Sequence, residues 1–240
     1  MKRLLFAATA AAYVFAAPEL AADTKCGSKY SDSTLANLVR QAPGLRTNVL
    51  RMAVDAAGCA RERGLVKRGN LLTVIDYSIP STQPRLFVFD LASKKLLFRE
   101  LVAHGKNSGG NVPDTFSNIH GSLATSLGLF VTDDTYVGSN GYSLRLRGLE
   151  KGVNDNAWDR AIVMHGAHYV SSIAIKALGR LGRSWGCPAV RSEVARKLIN
   201  TIRGGSPIFA YYPDRQWMKT SRFLPKQQQP VKVASAASAE

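Results

Sequence analysis

The chain has 240 residues, of which 45% are hydrophobic and 20% are charged, with 20 glycines and 10 prolines. This composition excludes wholesale disorder and a collagen-like repeat, and the length suits one large domain with at most a small appendage. Its 32 Lys and Arg residues against 17 Asp and Glu residues give a net charge of +15, which predicts attraction to nucleic acid, a membrane surface or a cell-wall polymer.

The N-terminus, residues 1–22, has the pattern of a secretory signal peptide. Lys2 and Arg3 precede an apolar run from Leu4 to Ala17, which is shorter than the about 20 residues needed to span a membrane. We therefore expect export to the periplasm, with no stable membrane insertion once the signal is removed. Export also argues against nucleic acid as the acidic partner.

Residues 23–68 are predicted to form a helical segment. A break at Pro43-Gly44 separates a short first helix from a longer second one, with Thr47 as its predicted N-cap and Gly64 as its stop. Cys59 lies in this second helix and Cys26 precedes it. A disulfide between these cysteines and two separate thiols both stay open, because sequence does not determine their distance.

The main domain is predicted at residues 69–215 and is rich in strands. Runs of β-branched and aromatic residues predict strands at 71–78, 85–91, 95–103, 128–132, 142–146, 161–164 and 208–212. Loops are predicted at 105–122 and 133–141, a helix at 191–202, and a flexible tail at 216–240. The predicted fold class is mainly β (α+β), with a short N-terminal helical segment.

Cys187 is the candidate nucleophile. It lies in the turn-like segment Gly182-Arg183-Ser184-Trp185-Gly186-Cys187-Pro188, away from any apolar periodic face. A thiol attacks as the thiolate and needs a nearby base. His165, which ends a predicted buried strand and is followed by Gly166, is the candidate base. From spacing alone, a Cys–His site and a structural cysteine are about equally supported.

Neighbouring residues suggest how an oxyanion would be held. Pro188 has no N–H, so the N–H groups of Gly186 and Cys187 are the predicted donors. The hydroxyl of Tyr142 or Tyr136 could assist them.

Two polar residues of the same segment have predicted supporting roles. Ser184 is expected to orient the loop. Arg183 is expected to hold the turn or to bind a substrate carboxylate through its guanidinium.

These residues together resemble a known signature. His165-Gly166 followed by Ser184-x-Gly186-Cys187 is similar to the active-site motif of the murein L,D-transpeptidase catalytic domains. Trp185 stands where many members have a second His, and the continuation Pro188-Ala189-Val190 resembles a divergent, YkuD-like branch. The resemblance covers roughly residues 36–215 and includes 71–78, 126–130 and 141–146.

The resemblance implies a β-sandwich or barrel domain whose Cys187 attacks the diaminopimelate carbonyl of a peptidoglycan stem peptide. A thioester would form and the terminal D-alanine would leave, with His165 taking the thiol proton and Trp185 supplying an apolar wall. An amine acceptor would give a cross-link, water a trimmed stem, and a free D-amino acid an exchange. No cofactor or metal is implied, and the oligomeric state is left open.

Two alternatives stay open. The positive charge also suits a non-catalytic, cationic cell-wall-binding protein. The pair His165 and His168 could serve a zinc peptidase, although no further metal-ligand pattern accompanies it. Four other side chains are assigned non-catalytic places: His104 and His120 as solvated, Trp158 and Trp217 as packing anchors.

Overall fold

The computed structural model describes residues 30–225. The predicted signal peptide, Cys26 and residues 226–240 lie outside this range. Cys59 is buried and disulfide-bonded, which excludes the alternative of a separate thiol at this position. Between residues 30 and 225, no helix combines the length and the apolar character that crossing a membrane requires.

Two helices, α1 (Asp32–Gln41) and α2 (Thr47–Glu62), form the N-terminal segment. Ser31 caps α1, because its Oγ accepts a hydrogen bond from the first turn. The sequence predicted Thr47 as the N-cap of α2, but Thr47 is the first helical residue. Arg46 takes the N-cap position without a side-chain cap and instead donates to the hydroxyl of Ser78.

Nine strands form one curled sheet. In chain order they are β1 (Leu71–Asp76), β2 (Leu86–Asp90), β3 (Lys95–Glu100), β4 (Val102–Ala103), β5 (Gly128–Gly138), β6 (Gly141–Gly148), β7 (Val163–Gly166), β8 (Ala189–Val190) and β9 (Pro207–Tyr211). Their spatial order is β3-β2-β1-β9-β5-β6-β7-β8-β4. β3 and β4 stand at opposite ends of this order, yet only Leu101 separates them in sequence. The sheet therefore curls into a nearly closed barrel, and the mainly β fold class is confirmed.

Three further helices follow: α3 (Ser172–Leu178), α4 (Ser192–Ile202) and α5 (Arg215–Thr220). α4 covers one face of β6 and β7 with side chains that are almost fully buried, namely Ala195, Leu198, Ile199 and Ile202. Each large aliphatic side chain buried in this way contributes roughly 1.5–3 kcal/mol. The opposite face of β7 remains for the candidate site.

Residues 133–141 form a β-hairpin, so the loop predicted there is wrong. β5 continues to Gly138, which pairs with Gly141 and leaves a two-residue turn between them. The register shifts between Thr132 and Thr135, because β5 has one more residue than β6 at this point. This bulge interrupts the alternation of polar and apolar residues on which the prediction depended.

The chain beyond residue 215 is packed, although a flexible tail was predicted from residue 216. Trp217 in α5 is buried, as expected of a packing anchor, and its Nε1 donates to Glu150 Oε2 at 3.0 Å. Phe223 is also buried. The surrounding polar residues gave this stretch the composition of a tail, but two aromatic side chains suffice to dock it.

Candidate active site

His165 projects from the face of β7 that α4 leaves uncovered. Side chains alternate between the faces of a strand, and the next residue, Gly166, faces α4. A Cβ at Gly166 would lie 2.9 Å from the Cβ of Ala195, so this position needs glycine for α4 to pack closely. His165 itself is buried.

Cys187 lies beside the start of the same strand. β8 pairs with β7 in parallel, with Ala189 opposite His165, and Cys187 lies two residues before Ala189. The Val163 N–H donates to Cys187 Sγ at 3.4 Å, and the thiol donates to the carbonyl of Ala161 at 3.7 Å. The fold thus brings the two predicted catalytic residues to neighbouring positions. Within residues 30–225, no direct hydrogen bond joins the thiol to the imidazole.

The hydrogen bonding of His165 leaves it ready to act as a base. Nδ1 lies 3.0 Å from the carbonyl oxygen of Gly166. Because a carbonyl can only accept, Nδ1 carries the proton and Nε2 keeps its lone pair. Burial lowers the pKa of His165, although the same hydrogen bond opposes this shift. The ring is therefore neutral at pH 7.

The Cys187 thiol is protonated in the resting site. Burial raises the pKa of Cys187, and the Val163 N–H and the positive charge of Arg160 offset this only in part. A neutral thiol beside a neutral imidazole is not an ion pair. Attack by sulfur must therefore be accompanied by proton transfer to a base.

Ser184 closes the turn that carries Cys187. Its Oγ donates to the carbonyl of Cys187 at 2.6 Å and accepts from the N–H of Gly186 at 3.2 Å. Its backbone N–H donates to the carbonyl of His104, and its carbonyl accepts from the N–H of Lys106. This buried serine orients the loop in the way that the sequence predicted.

Replacing Ser184 with alanine should destabilise this turn. The Gly186 N–H and the Cys187 carbonyl would lose their partner in a buried place, which costs about 1–3 kcal/mol. We expect a fall of about 2 kcal/mol in the free energy of unfolding, measured by urea denaturation, and slower alkylation of Cys187. Ser184→Thr keeps the hydroxyl and is the control. Equal unfolding free energies for the alanine variant and the wild type would contradict this role.

Gly186 has a backbone conformation that favours glycine. Its φ is +118°, and a Cβ would lie 2.8 Å from the carbonyl oxygen of Ala124. The sequence predicted that its N–H would donate to an oxyanion. In the structure this N–H donates to Ser184 Oγ and is not free for that role. The N–H of Cys187 has no acceptor among the described residues. That group is the backbone donor available to an oxyanion.

The two predicted tyrosines lie on different faces of the sheet. Ser143 pairs with His165 and shares its face, so the adjacent Tyr142 points to the opposite face. There its hydroxyl donates to Oδ1 of Asn200 in α4 at 2.6 Å. Tyr142 is therefore not part of the site, contrary to the prediction. Tyr136 pairs with Ser143 and lies on the face of His165.

Arg183 and Trp185 lie in the loop that carries Cys187. Arg183 Nη1 donates to the carbonyls of Gly109 and Lys106, so this guanidinium holds the turn to the preceding loop. Of the two roles predicted for Arg183, the structure shows the structural one. Trp185 is 73% exposed, with Lys106 Nζ 6.0 Å from its ring centre. It presents an apolar surface at the mouth of the site.

Three side chains near the thiol were not predicted. Arg160 lies close enough to Cys187 for its charge to favour the thiolate. Burial, and then the charge that Cys187 carries once it is a thiolate, raise the pKa of Tyr169 to about 12, and burial also raises the pKa of Tyr77. Hydrogen bonds hold the Arg160 guanidinium to Ser117, Ser122, Ala124 and Ser126. These residues come from separate segments, so no local pattern marks them.

His104 was predicted to be solvated, but the structure buries it. Its Nδ1 accepts from Nη2 of Arg85 at 2.7 Å, and its Nε2 has no hydrogen-bond partner among the described residues. Arg85 is itself fully buried and donates to the carbonyls of Ile79 and Val102. Burial, reinforced by the charge of Arg85, lowers the pKa of His104 to about 4.

His104 should make folding stability depend on pH. Its pKa falls from 6.5 to about 4 on folding, so below pH 6.5 the unfolded chain binds a proton that the folded chain refuses. The contribution of neutral His104 to the free energy of unfolding is complete above pH 6.5. It is lost as the pH falls towards 4, which lowers the free energy of unfolding by about 3 kcal/mol. Urea denaturation at several pH values would measure it. His104→Gln keeps an acceptor for Arg85 without titrating and should lose less stability over this range. Identical pH dependences would contradict the assignment.

His168 does not join His165 in a metal site. It is exposed and packs edge-on against the ring of Tyr169. Between residues 30 and 225, no three His, Cys, Asp or Glu side chains lie close enough together to hold a metal ion. His120 is exposed as well.

Comparisons with known proteins agree with the motif. Residues 41–211 match the family model of the L,D-transpeptidase catalytic domain. The fold is similar to that of an L,D-transpeptidase from Mycobacterium smegmatis (14% identity, 60% of this chain and 59% of that chain, TM-score 0.38). It is also similar to that of an L,D-transpeptidase from Stackebrandtia nassauensis (11% identity, 74% of this chain and 76% of that chain, TM-score 0.37). A third similar fold is that of the helical cell shape determining protein from Campylobacter jejuni (12% identity, 60% of this chain and 48% of that chain, TM-score 0.41).

The match to these structures is partial. The chain spans about three fifths of the length of the Mycobacterium smegmatis protein. Comparison with curated proteins gives no significant match.

Proposed function

Because the chain belongs to the L,D-transpeptidase catalytic domain family, we propose that it is a peptidoglycan-modifying cysteine acyltransferase with Cys187 as its nucleophile. The observation that carries this proposal is the hydrogen bond from the Val163 N–H to Cys187 Sγ, because Val163 lies two residues before a base, His165, whose Nε2 lone pair is free. The proposed substrate is a tetrapeptide stem ending in diaminopimelate and D-alanine. We assign the catalytic domain to residues 69–215, preceded by the helical segment.

The proposed acylation begins with the neutral pair. His165 Nε2 takes the thiol proton as Cys187 Sγ attacks the carbonyl carbon between diaminopimelate and D-alanine. The Cys187 N–H donates to the resulting oxyanion. The C–N bond then breaks, and D-alanine leaves with the proton from the imidazolium, so that a thioester remains.

The acceptor completes the reaction. An amine of a second stem, or water, attacks the thioester carbonyl and gives its proton to His165. The C–S bond breaks, and sulfur recovers the proton from the imidazolium. An amine yields a cross-linked dimer, and water yields a tripeptide stem.

The thiol has to turn for this reaction. In the structure it is held by the backbone of Ala161 and Val163 and not by the imidazole. A rotation about the Cα–Cβ bond of Cys187 exchanges these weak sulfur contacts for one with His165. We propose that entry of the substrate accompanies this rotation, because the resting thiol is buried.

Mass spectrometry of purified tetrapeptide muropeptides incubated with the protein tests the proposal. We expect loss of the terminal D-alanine for carboxypeptidase activity, a new dimer for transpeptidase activity, or exchange when a D-amino acid is added. Unchanged muropeptides in every condition would contradict the proposal. The non-catalytic cell-wall-binding alternative would then be favoured if the protein still bound isolated cell walls.

We also propose that the protein is exported to the periplasm and meets peptidoglycan there. The support is the signal-like sequence of residues 1–22, and the net charge of +15 suits an anionic envelope. Cell fractionation with N-terminal sequencing should find a periplasmic protein that begins between residues 17 and 23. An intact N-terminus in the cytoplasmic fraction would contradict this. Wall affinity should weaken as salt screens the charge.

A further inference from the structure

The face of the sheet that carries His165 continues into a strip of cationic and aromatic side chains. Across β6 and β7, Arg145 pairs with Val163, the residue that contacts the Cys187 thiol. Directly paired residues share a face. Arg145 therefore lies on the face that carries His165, one strand away from the backbone N–H of Val163 that donates to the thiol. Paired residues of antiparallel strands have Cα atoms about 5 Å apart, so Arg145 begins close to the residue that contacts the thiol.

Two aromatic rings hold the guanidinium of Arg145. Its Cζ lies 4.4 Å from the ring centre of Tyr136 and 5.0 Å from that of Trp158. Both rings are half-buried, as Arg145 is. The planar fork is thereby oriented before any ligand arrives, which lowers the entropy lost on binding.

Arg145 differs from the other arginines near the site in having no acceptor. Arg147 is paired with Asp133, Arg160 is held by four hydrogen bonds, and Arg183 donates to carbonyls. Among residues 30–225, no carboxylate or other acceptor is hydrogen-bonded to the Arg145 guanidinium. An oriented fork with free donors is suited to bidentate binding of a carboxylate.

We propose that Arg145, held between Tyr136 and Trp158, is a binding residue for a carboxylate of the donor stem peptide. This inference rests on the proposed function for the identity of the peptide. A tetrapeptide stem offers two carboxylates near the attacked carbonyl: the terminal one of D-alanine and the side-chain one of diaminopimelate. Arg145 would thereby contribute to substrate specificity from β6, outside the His165-Gly166 and Ser184-x-Gly186-Cys187 motif.

A probe of charge near the thiol tests the cation without requiring any enzyme activity. Iodoacetate and iodoacetamide alkylate cysteine alike but differ in charge. The cation of Arg145 should favour the anionic reagent. At low salt we therefore expect Arg145→Gln to reduce the rate of alkylation of Cys187 by iodoacetate, relative to that by iodoacetamide, by about 3- to 10-fold. Arg196→Gln is the matched control, because Arg196 stacks on Tyr142 at 4.5 Å on the opposite face. An unchanged ratio in Arg145→Gln would overturn the proposal.

Steady-state kinetics with stem peptides then identifies the carboxylate. Loss of a charge-assisted contact should raise KM for the unmodified tetrapeptide about 10- to 100-fold in Arg145→Gln, with a smaller change in kcat. Arg145→Lys should lose part of this, since it keeps the charge but not the fork. Two further substrates carry an amide in place of one carboxyl, either at the D-alanine or at the diaminopimelate side chain. Arg145→Gln should leave KM unchanged for the substrate that lacks the carboxylate bound by Arg145. An equal loss on all three substrates would overturn the carboxylate assignment.

The two tests separate this inference from the proposed function. A ratio that falls in Arg145→Gln while wild-type protein leaves muropeptides unchanged supports the anion subsite and contradicts the enzymatic proposal. Normal turnover of muropeptides by Arg145→Gln with an unchanged ratio contradicts the subsite alone. Melting temperatures of the variants would show that each is folded.

Discussion

Cys187→Ala should abolish turnover of tetrapeptide muropeptides, with a fall of at least about 10⁴-fold, to the background rate. Among residues 30–225 no second free thiol could take its place, because Cys59 is disulfide-bonded and Cys187 is the free cysteine there. The alanine variant loses only the weak sulfur contacts with Ala161 and Val163. We therefore expect its free energy of unfolding to change by no more than about 1 kcal/mol.

Intact-protein mass spectrometry supplies the direct evidence for this prediction. Wild-type protein quenched during turnover should carry the mass of one acyl stem, and Cys187→Ala should carry none. Ser184→Thr is a useful companion, because it alters the same loop while keeping the thiol. Retention of full activity by Cys187→Ala would sink the thiol mechanism, and would direct attention to the other nucleophiles of the cleft.

His165→Gln should lower kcat by about 10²- to 10⁴-fold while the substitution leaves KM closer to its original value. Glutamine occupies a similar volume but cannot take a proton from the thiol. Because burial raises the pKa of Cys187, little thiolate forms at pH 7 without the base. The variant should therefore recover activity only at alkaline pH, where hydroxide removes the thiol proton.

The pH dependence of this pair distinguishes a base from a structural histidine. Burial lowers the pKa of His165 below 6.5, so in the wild type the alkylation rate of Cys187 should rise as pH increases through that lowered value and the ring becomes neutral. His165→Gln should lose this rise in rate at acidic pH, the acid limb of the pH profile. A purely structural His165 would leave the limb in place at reduced rate. Alkylation by iodoacetamide from pH 4 to pH 10 would decide between them.

Most of the strand positions could be predicted from the chain alone. β1, β2 and β9 are short, buried runs of β-branched and aromatic residues bounded by turns, and local propensity suffices to locate such strands. The hairpin of β5 and β6 could not be predicted, because the bulge after Thr132 shifts the alternation that marks a strand. The docked end of the chain depends on Trp217 finding Glu150, a contact between distant segments.

The candidate site divides in the same way. The sequence by itself singled out Cys187 and His165 as the proposed nucleophile and base, because that chemistry needs these residue types beside glycines that allow close packing. Only the tertiary structure decided which neighbours face them. Whether Tyr142 or Arg145 reaches the site depends on strand register, in which a shift of one residue reverses the face of every side chain. Such parity is set by pairing with distant strands, and no local pattern contains it.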